Sequence, residues 1–336
     1  MVALRRFVLF CLLCLMAGLA GYGFWAIQSG AILALWQGAT DQAPQPAPAS
    51  AGQTRPASAP EAIPPLRIAV MFPGPTDPLR AREAAFSEML IQLTRRFDLL
   101  AVHGFRGPGR GPFLPLLEAV GAADKEVNYL AYVPVRESTV RQFPVIFYRA
   151  DRLVLDRKRS GPVDDTAKVF RWTPVVVSFA ARQPPLANAF TFTAVVARVD
   201  PLRVHEELGL LAELLRTVAY QQAPEDDILL LAHLEADEDT VGRSLPDYVP
   251  AVTGIPNSAG GTRLASNILF HPVATCEFTG RSGVLTLDEI LPPGSGTSPP
   301  NVHFLPVWAE FTATESPADR WTKSFSRLSA FLAWDN

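Results

Sequence analysis

The nonapeptide Ile228-Leu229-Leu230-Leu231-Ala232-His233-Leu234-Glu235-Ala236 decides how this chain is read. Its apolar half, Ile228 to Ala232, reads as a strand. Its polar half places His233, Glu235 and Asp237 at alternate positions, which share a face if the backbone stays extended. With His303 they form a candidate metal set, while Glu238 and Asp239 read as a solvated loop.

Working outward, Leu66 to Phe72 reads as a buried strand, and Asp77-Pro78 as a helix start with an N-cap followed by proline. Phe86, Leu90, Leu93 and Phe97 continue at helical spacing, and Asp98 to Phe105 returns as a strand, giving a strand-helix-strand unit. Pro144 to Tyr148, Leu153 to Leu155, Pro174 to Phe179 and Phe190 to Val199 follow closely enough for hairpins. Pro201 to Tyr220 reads as a helix, with His205, Glu206 and Glu207 on its exposed part. Asn267 to Phe270 and Phe304 to Phe311 complete the strands. Hairpins mixed with crossovers predict an α/β protein of mixed sheets with helices outside.

In this order the segments resemble the endonuclease/exonuclease/phosphatase superfamily, over about Leu66 to Thr312. Arg67-Ile68-Ala69-Val70-Met71-Phe72 is similar to the opening KIAxFN strand, and Asp98 to Gly104 to DIVxLQE. Ile228 to Ala236 is similar to ILxGDFNA, Ala265 to Phe270 to YDNILF, and Val302 to Phe311 to the closing SDHxPVxAEF. The resemblance implies a deoxyribonuclease I-like fold, a four-layer α/β/β/α sandwich of two mixed sheets. It also implies metal-dependent phosphodiester hydrolysis by carboxylates that hold a cation and a base that activates water.

The residues for that chemistry are replaced. Phe72 stands where the family has its metal-organising asparagine, Gly104 at its metal-binding glutamate and Ser266 at the aspartate before Asn267. His233 and Glu235 stand at the GDFN aspartate and asparagine, and His303 and Phe304 at the closing aspartate-histidine pair. Arg141 falls at a further glutamate and Arg198 at a histidine, reversing the charge of the site. The two arginines are a candidate anion-binding pair, or else they pair with Glu235 and fill the cleft. The expectation is a catalytically degenerate binding or scaffold domain with no catalytic residues, metal or other cofactor. The alternative is a divergent phosphodiesterase using His233, Glu235 and His303. Gly107 to Pro112 lacks the lysine and hydroxyl of a phosphate-binding loop and reads as a surface loop.

Composition narrows the classes further. The chain has 336 residues, 48% apolar, with 30 basic and 33 acidic side chains and a net charge of -3, so avid nucleic-acid binding is not expected. Cys11, Cys14 and Cys276 offer no intradomain disulfide and no cysteine zinc cluster. Arg5 and Arg6 precede a stretch without charge from Phe7 to Thr40. Residues 7–27 would span roughly 31 Å as a helix, so residues 1–36 are expected to be a single-pass membrane anchor. A cleaved signal peptide is the competing reading, although its apolar region is usually shorter.

The two arginines on the short side predict a cytoplasmic N-terminus and an extracytoplasmic domain, periplasmic in a bacterium. Residues 37–65 form a linker, whose stretch from Asp41 to Pro65 holds seven prolines and seven alanines. Residues 66–313 form the domain, and 314–336 are expected to be an amphipathic helix. Its Trp321, Phe325, Leu328 and Leu332 form a stripe to be buried on the domain, the bilayer or a protein partner, and the single surplus positive charge of its polar face disfavours the bilayer.

Overall fold

The structure is a computed structural model that describes residues 63–74, 84–105, 114–123, 127–134, 142–222, 225–261, 263–291 and 300–315. The expected anchor, most of the linker, the Asp77-Pro78 helix start, the Gly107 to Pro112 loop, Arg141 and the C-terminal stripe lie outside these residues. Among the described residues, no helix is long and apolar enough to cross a membrane.

The strands are β1 (Leu66–Met71), β2 (Leu99–Phe105), β3 (Tyr129–Tyr132), β4 (Phe143–Arg149), β5 (Leu153–Pro162), β6 (Val175–Ala181), β7 (Thr191–Arg198), β8 (Ile228–His233), β9 (Val249–Pro250), β10 (Ser266–Phe270), β11 (Phe278–Val284) and β12 (Val307–Phe311). The helices are α1 (Ala84–Arg96), α2 (Leu114–Ala123), α3 (Val204–Gln222), α4 (Glu238–Ser244) and α5 (Leu287–Ile290). One sheet has the order β11-β12-β1-β2-β4-β3 and the other β5-β6-β7-β8-β10-β9. Each contains one parallel pair, β1 with β2 and β7 with β8. In each case a helix joins the two strands, because a parallel return requires a crossover.

The period-two alternation of side chains builds the layers. Leu66, Ile68 and Val70 of β1 share one core with Leu229 and Leu231 of β8, so the inner faces of the two sheets pack on each other. Ala69 and Met71 point the other way, towards Phe86, Met89, Leu90 and Leu93 of α1. Leu230 and Ala232 point away from the shared core towards Leu208, Leu211, Leu215 and Val218 of α3. Burial on both faces explains why these central strands read as continuous apolar runs. The result is an α/β sandwich of two mixed sheets with helices on their outer faces.

Three local readings are corrected. Glu238 and Asp239 open α4 rather than a loop, because Asp237 caps it by accepting from the Thr240 amide at 2.7 Å. Glu207 is fully buried, since its carboxylate accepts the amides of Arg171 and Asp200 at 2.7 and 2.8 Å. The strand beginning at Leu153 does not stop at Leu155. It runs to Pro162 through a bulge of charged residues that hides the strand pattern.

Candidate functional site

His233 closes β8 and lies between two register partners, Arg198 at the end of β7 and Ser266 at the start of β10. Phe72 follows β1, Gly104 lies on β2 and Phe304 precedes β12. Seven of the positions singled out in the sequence thus converge between the two sheets. They are Phe72, Gly104, Arg198, His233, Glu235, Ser266 and Phe304.

Aromatic rings fill the centre. The Phe72 and His233 ring centroids are 4.6 Å apart, His233 and Phe304 4.5 Å, and Phe72 and Phe304 6.1 Å. All three side chains are buried. Gly104 completes the closure at a φ of 96°, where a Cβ would stand 2.7 Å from the Gly74 carbonyl oxygen and 3.0 Å from Phe72 Cε2. Only a residue without a side chain fits beside that ring.

A chain of polar contacts runs along one side of the rings. His233 Nε2 donates to Glu235 Oε1 at 2.8 Å, and the other Glu235 oxygen accepts from Arg263 Nη2 at 2.7 Å. A carboxylate can only accept, so the imidazole proton is on Nε2, and Nδ1 accepts from the Ser266 hydroxyl at 2.9 Å. Burial keeps His233 neutral by lowering its pKa, partly opposed by the Glu235 bond. The His233 hydrogen bond holds the Glu235 carboxyl down to about 2, against some burial, with Arg263 adding to it. Glu235 itself adopts a φ of 53°, a left-handed conformation uncommon outside glycine, so the strand ends there and Asp237 leaves the face of His233.

Ser266, His233 and Glu235 have the order of a nucleophile, base and orienting acid, but the hydroxyl and the imidazole are wholly buried, leaving no approach for a substrate. Deeper in the fold, His103 Nε2 faces the Leu231 carbonyl at 3.4 Å. Burial first, then repulsion from Arg198 and from His233 whenever that ring takes up a proton, push its pKa down to about 3.

The Arg198 guanidinium lies over the Phe72 ring at 3.8 Å and the Trp172 ring at 3.7 Å, and Nη1 donates to Gln142 Oε1. The recess beside it, lined by His103, Gln142, Trp172 and Thr173 among others, has a volume of about 10 Å³, room for one water. The arginine on Glu235 is Arg263, which the sequence reading did not single out. Its only sequence signal was a basic residue three positions before Ser266. His303 is exposed and its ring covers Gly74, within 3.1 to 3.3 Å of where a Cβ would stand. Asn267 serves a structural purpose, exchanging two hydrogen bonds with the backbone of Val252.

The cation that the fold family implies does not fit these residues. Gly104 offers no ligand atom, the Phe72 ring stands beside it, and both His233 nitrogens and both Glu235 oxygens are engaged. Among the described residues, the ligand atoms that gather within 4.8 Å belong to Glu225, Asp226 and Asp227 rather than to His233, Glu235 and His303. That acidic cluster precedes β8, at the far end of the strand from His233.

The two six-stranded mixed sheets with outer helices define a deoxyribonuclease I-like fold. An endonuclease/exonuclease/phosphatase protein from Bacteroides vulgatus has a similar structure, with a TM-score of 0.50 and 11% identity over 74% of this chain and 99% of that one. A functionally unknown conserved protein from Enterococcus faecalis is also similar, with a TM-score of 0.50 and 10% identity over 74% of this chain and 100% of the other. No protein-family model matches the chain, and no curated protein matches its sequence. At such identities the likeness concerns the fold alone.

Proposed function

We propose that this chain is a membrane-tethered binding or scaffold domain on the endonuclease/exonuclease/phosphatase fold, in which packed side chains have replaced the hydrolytic centre. The observation that carries this reading is the ring cluster of Phe72, His233 and Phe304, closed against Gly104. By the motif resemblance, these are the positions at which phosphodiester hydrolysis on this fold needs carboxylates, a cation and an activated water. The stacking of Arg198 between two rings favours a filled cleft over an anion pocket made with Arg141. The uncharged stretch from Phe7 to Thr40 supports the anchor, and the arginines before it an extracytoplasmic domain. The stripe of Trp321, Phe325, Leu328 and Leu332 is the surface offered to a protein partner.

The competing reading is a divergent phosphodiesterase working through His233, Glu235 and His303. It needs ligand atoms of His233 and Glu235 that are engaged with each other, Ser266 and Arg263 in the folded domain. The full chain in detergent, given magnesium or manganese and DNA, RNA or phosphoinositide analogues, is expected to show no turnover above the Glu235→Ala variant. Metal-dependent turnover that Glu235→Ala abolishes would overturn the proposal.

A further inference from the structure

Charge is segregated along the chain. From Arg149 to Arg182 there are eight basic and four acidic residues, a surplus of four positive charges in a protein whose net charge is -3. This segment includes β5, an edge strand of its sheet, and the loop after it. Arg157, Lys158 and Arg159 are consecutive and exposed there, and among the described residues none of them forms an ion pair with a carboxylate.

The local backbone presents Arg157 and Lys158, while Arg159 Nη2 donates to the Gln222 carbonyl at the end of α3 at 3.1 Å. Asp156 Oδ1 accepts the Lys158 and Arg159 amides at 2.9 and 3.4 Å, and Ser160 Oγ donates to the Asp156 carbonyl at 2.6 Å. The ladder to β6 loses its register between Asp156 and Gly161, so the intervening residues form a bulge. A charged, bulged edge discourages strand pairing, which is its plainest role. One lysine would meet that need. A turn closed by its own side-chain hydrogen bonds and carrying three adjacent cations suits a flat polyanionic surface better.

The start of the domain lies beside this edge. Arg152, the residue before β5, donates from Nη2 to the carbonyls of Pro64 and Pro65 at 2.6 and 2.9 Å. These are among the first described residues of the domain, where the linker ends. From Leu153 to Arg157 the strand advances only about 13 Å, at roughly 3.3 Å per residue. The chain thus enters the domain at the start of β1, and Arg152 ties the β5 edge strand to that entry.

We infer that the Arg157-Lys158-Arg159 bulge is a docking surface for the anionic lipid headgroups of the membrane that carries the chain. The inference rests on the reading of residues 1–36 as an anchor. Each cation near an anionic bilayer strengthens association by about fivefold, and a tether raises the local concentration of that surface. The attraction is electrostatic, so salt dissolves it.

Lys158 supplies its own reporter. The full chain is reconstituted in vesicles of phosphatidylcholine alone or of equimolar phosphatidylcholine and phosphatidylglycerol, and acetylation of Lys158 by a water-soluble reagent is followed by mass spectrometry. Acetylation is expected to be roughly fivefold or more slower on the anionic vesicles. The difference should vanish in about 1 M salt, where the Debye length is roughly 3 Å, and shrink in the Arg157→Gln/Arg159→Gln double variant, which keeps the reporter.

Equal rates on both vesicles would overturn the inference, as would protection by a DNA duplex or an acidic peptide but not by anionic vesicles. Flotation with phosphatidylcholine vesicles in about 1 M salt reads the anchor by itself. A chain that floats with Lys158 equally reactive on both vesicles loses only the docking surface. One that does not float, yet is protected by anionic vesicles, loses only the anchor.

Discussion

Phe72, which follows β1, and Gly104, on the neighbouring strand β2, exclude each other's alternatives, because a Cβ at 104 would lie 3.0 Å from Phe72 Cε2. The family's glutamate cannot return at position 104 while the phenylalanine stays at 72. Two replacements that look independent in the sequence are one packing decision in the fold.

Gly104→Ala should therefore destabilise the domain markedly. The left-handed backbone costs about 1–2 kcal/mol for a residue with a Cβ, and crowding a packed site adds about 1–3 kcal/mol. Urea denaturation should show a loss of about 2–4 kcal/mol, since the Gly74 carbonyl and the Phe72 ring both press on the added methyl. A midpoint equal to that of the parent would mean that the Phe72 ring is not packed against position 104.

Acid should weaken the fold in a defined order. The folded-state pKa of His103 is depressed from 6.5 to about 3, so below about 6.5 the unfolded chain takes up a proton that the folded one refuses. Stability contributed by the neutral ring is complete above that value and is lost as the pH falls towards 3, with His233 acting in the same direction. Glu235, held down to about 2, adds its own loss below about 4.5. Each group steepens the slope by up to about 1.4 kcal/mol per pH unit. Denaturation midpoints followed from neutral pH downward should flatten between pH 6 and 4 in a His103→Gln variant, relative to the parent.

Unequal effects are expected from the two partners of the Glu235 ion pair. Arg263 is about half exposed, so Arg263→Ala should cost under about 1 kcal/mol. Glu235→Ala leaves the buried His233 Nε2 without its acceptor and should cost about 1–3 kcal/mol. Thermal unfolding of the two variants side by side tests the order. A larger loss from Arg263→Ala would place the stabilising contact elsewhere.

The sequence by itself determined the central strands, because burial on both faces demands apolar residues at every position, as in Ile228 to Ala232 and Leu66 to Met71. It also determined α1 and α3, whose apolar residues repeat on one side at helical spacing. It did not show β11, where Gly280 at a φ of 81° and a bulge between Phe278 and Ser282 erase the alternation. Nor did it show β3 or β9, edge strands of four and two residues that are too short to carry a period. At the site it named Phe72, Gly104, His233, Glu235, Ser266 and Phe304, since each stands at a fixed place within a recognisable motif, and Arg198 from its position at the end of a strand.

Only the tertiary structure decided how those residues are used. Arg263 rather than Arg198 meets Glu235, and Trp172 and Gln142 enclose Arg198 from segments 26 and 56 positions away in the chain. Contacts at such separations leave no local pattern. They follow from which strands are neighbours and in what register, and that is set by burying both sheets' inner faces together.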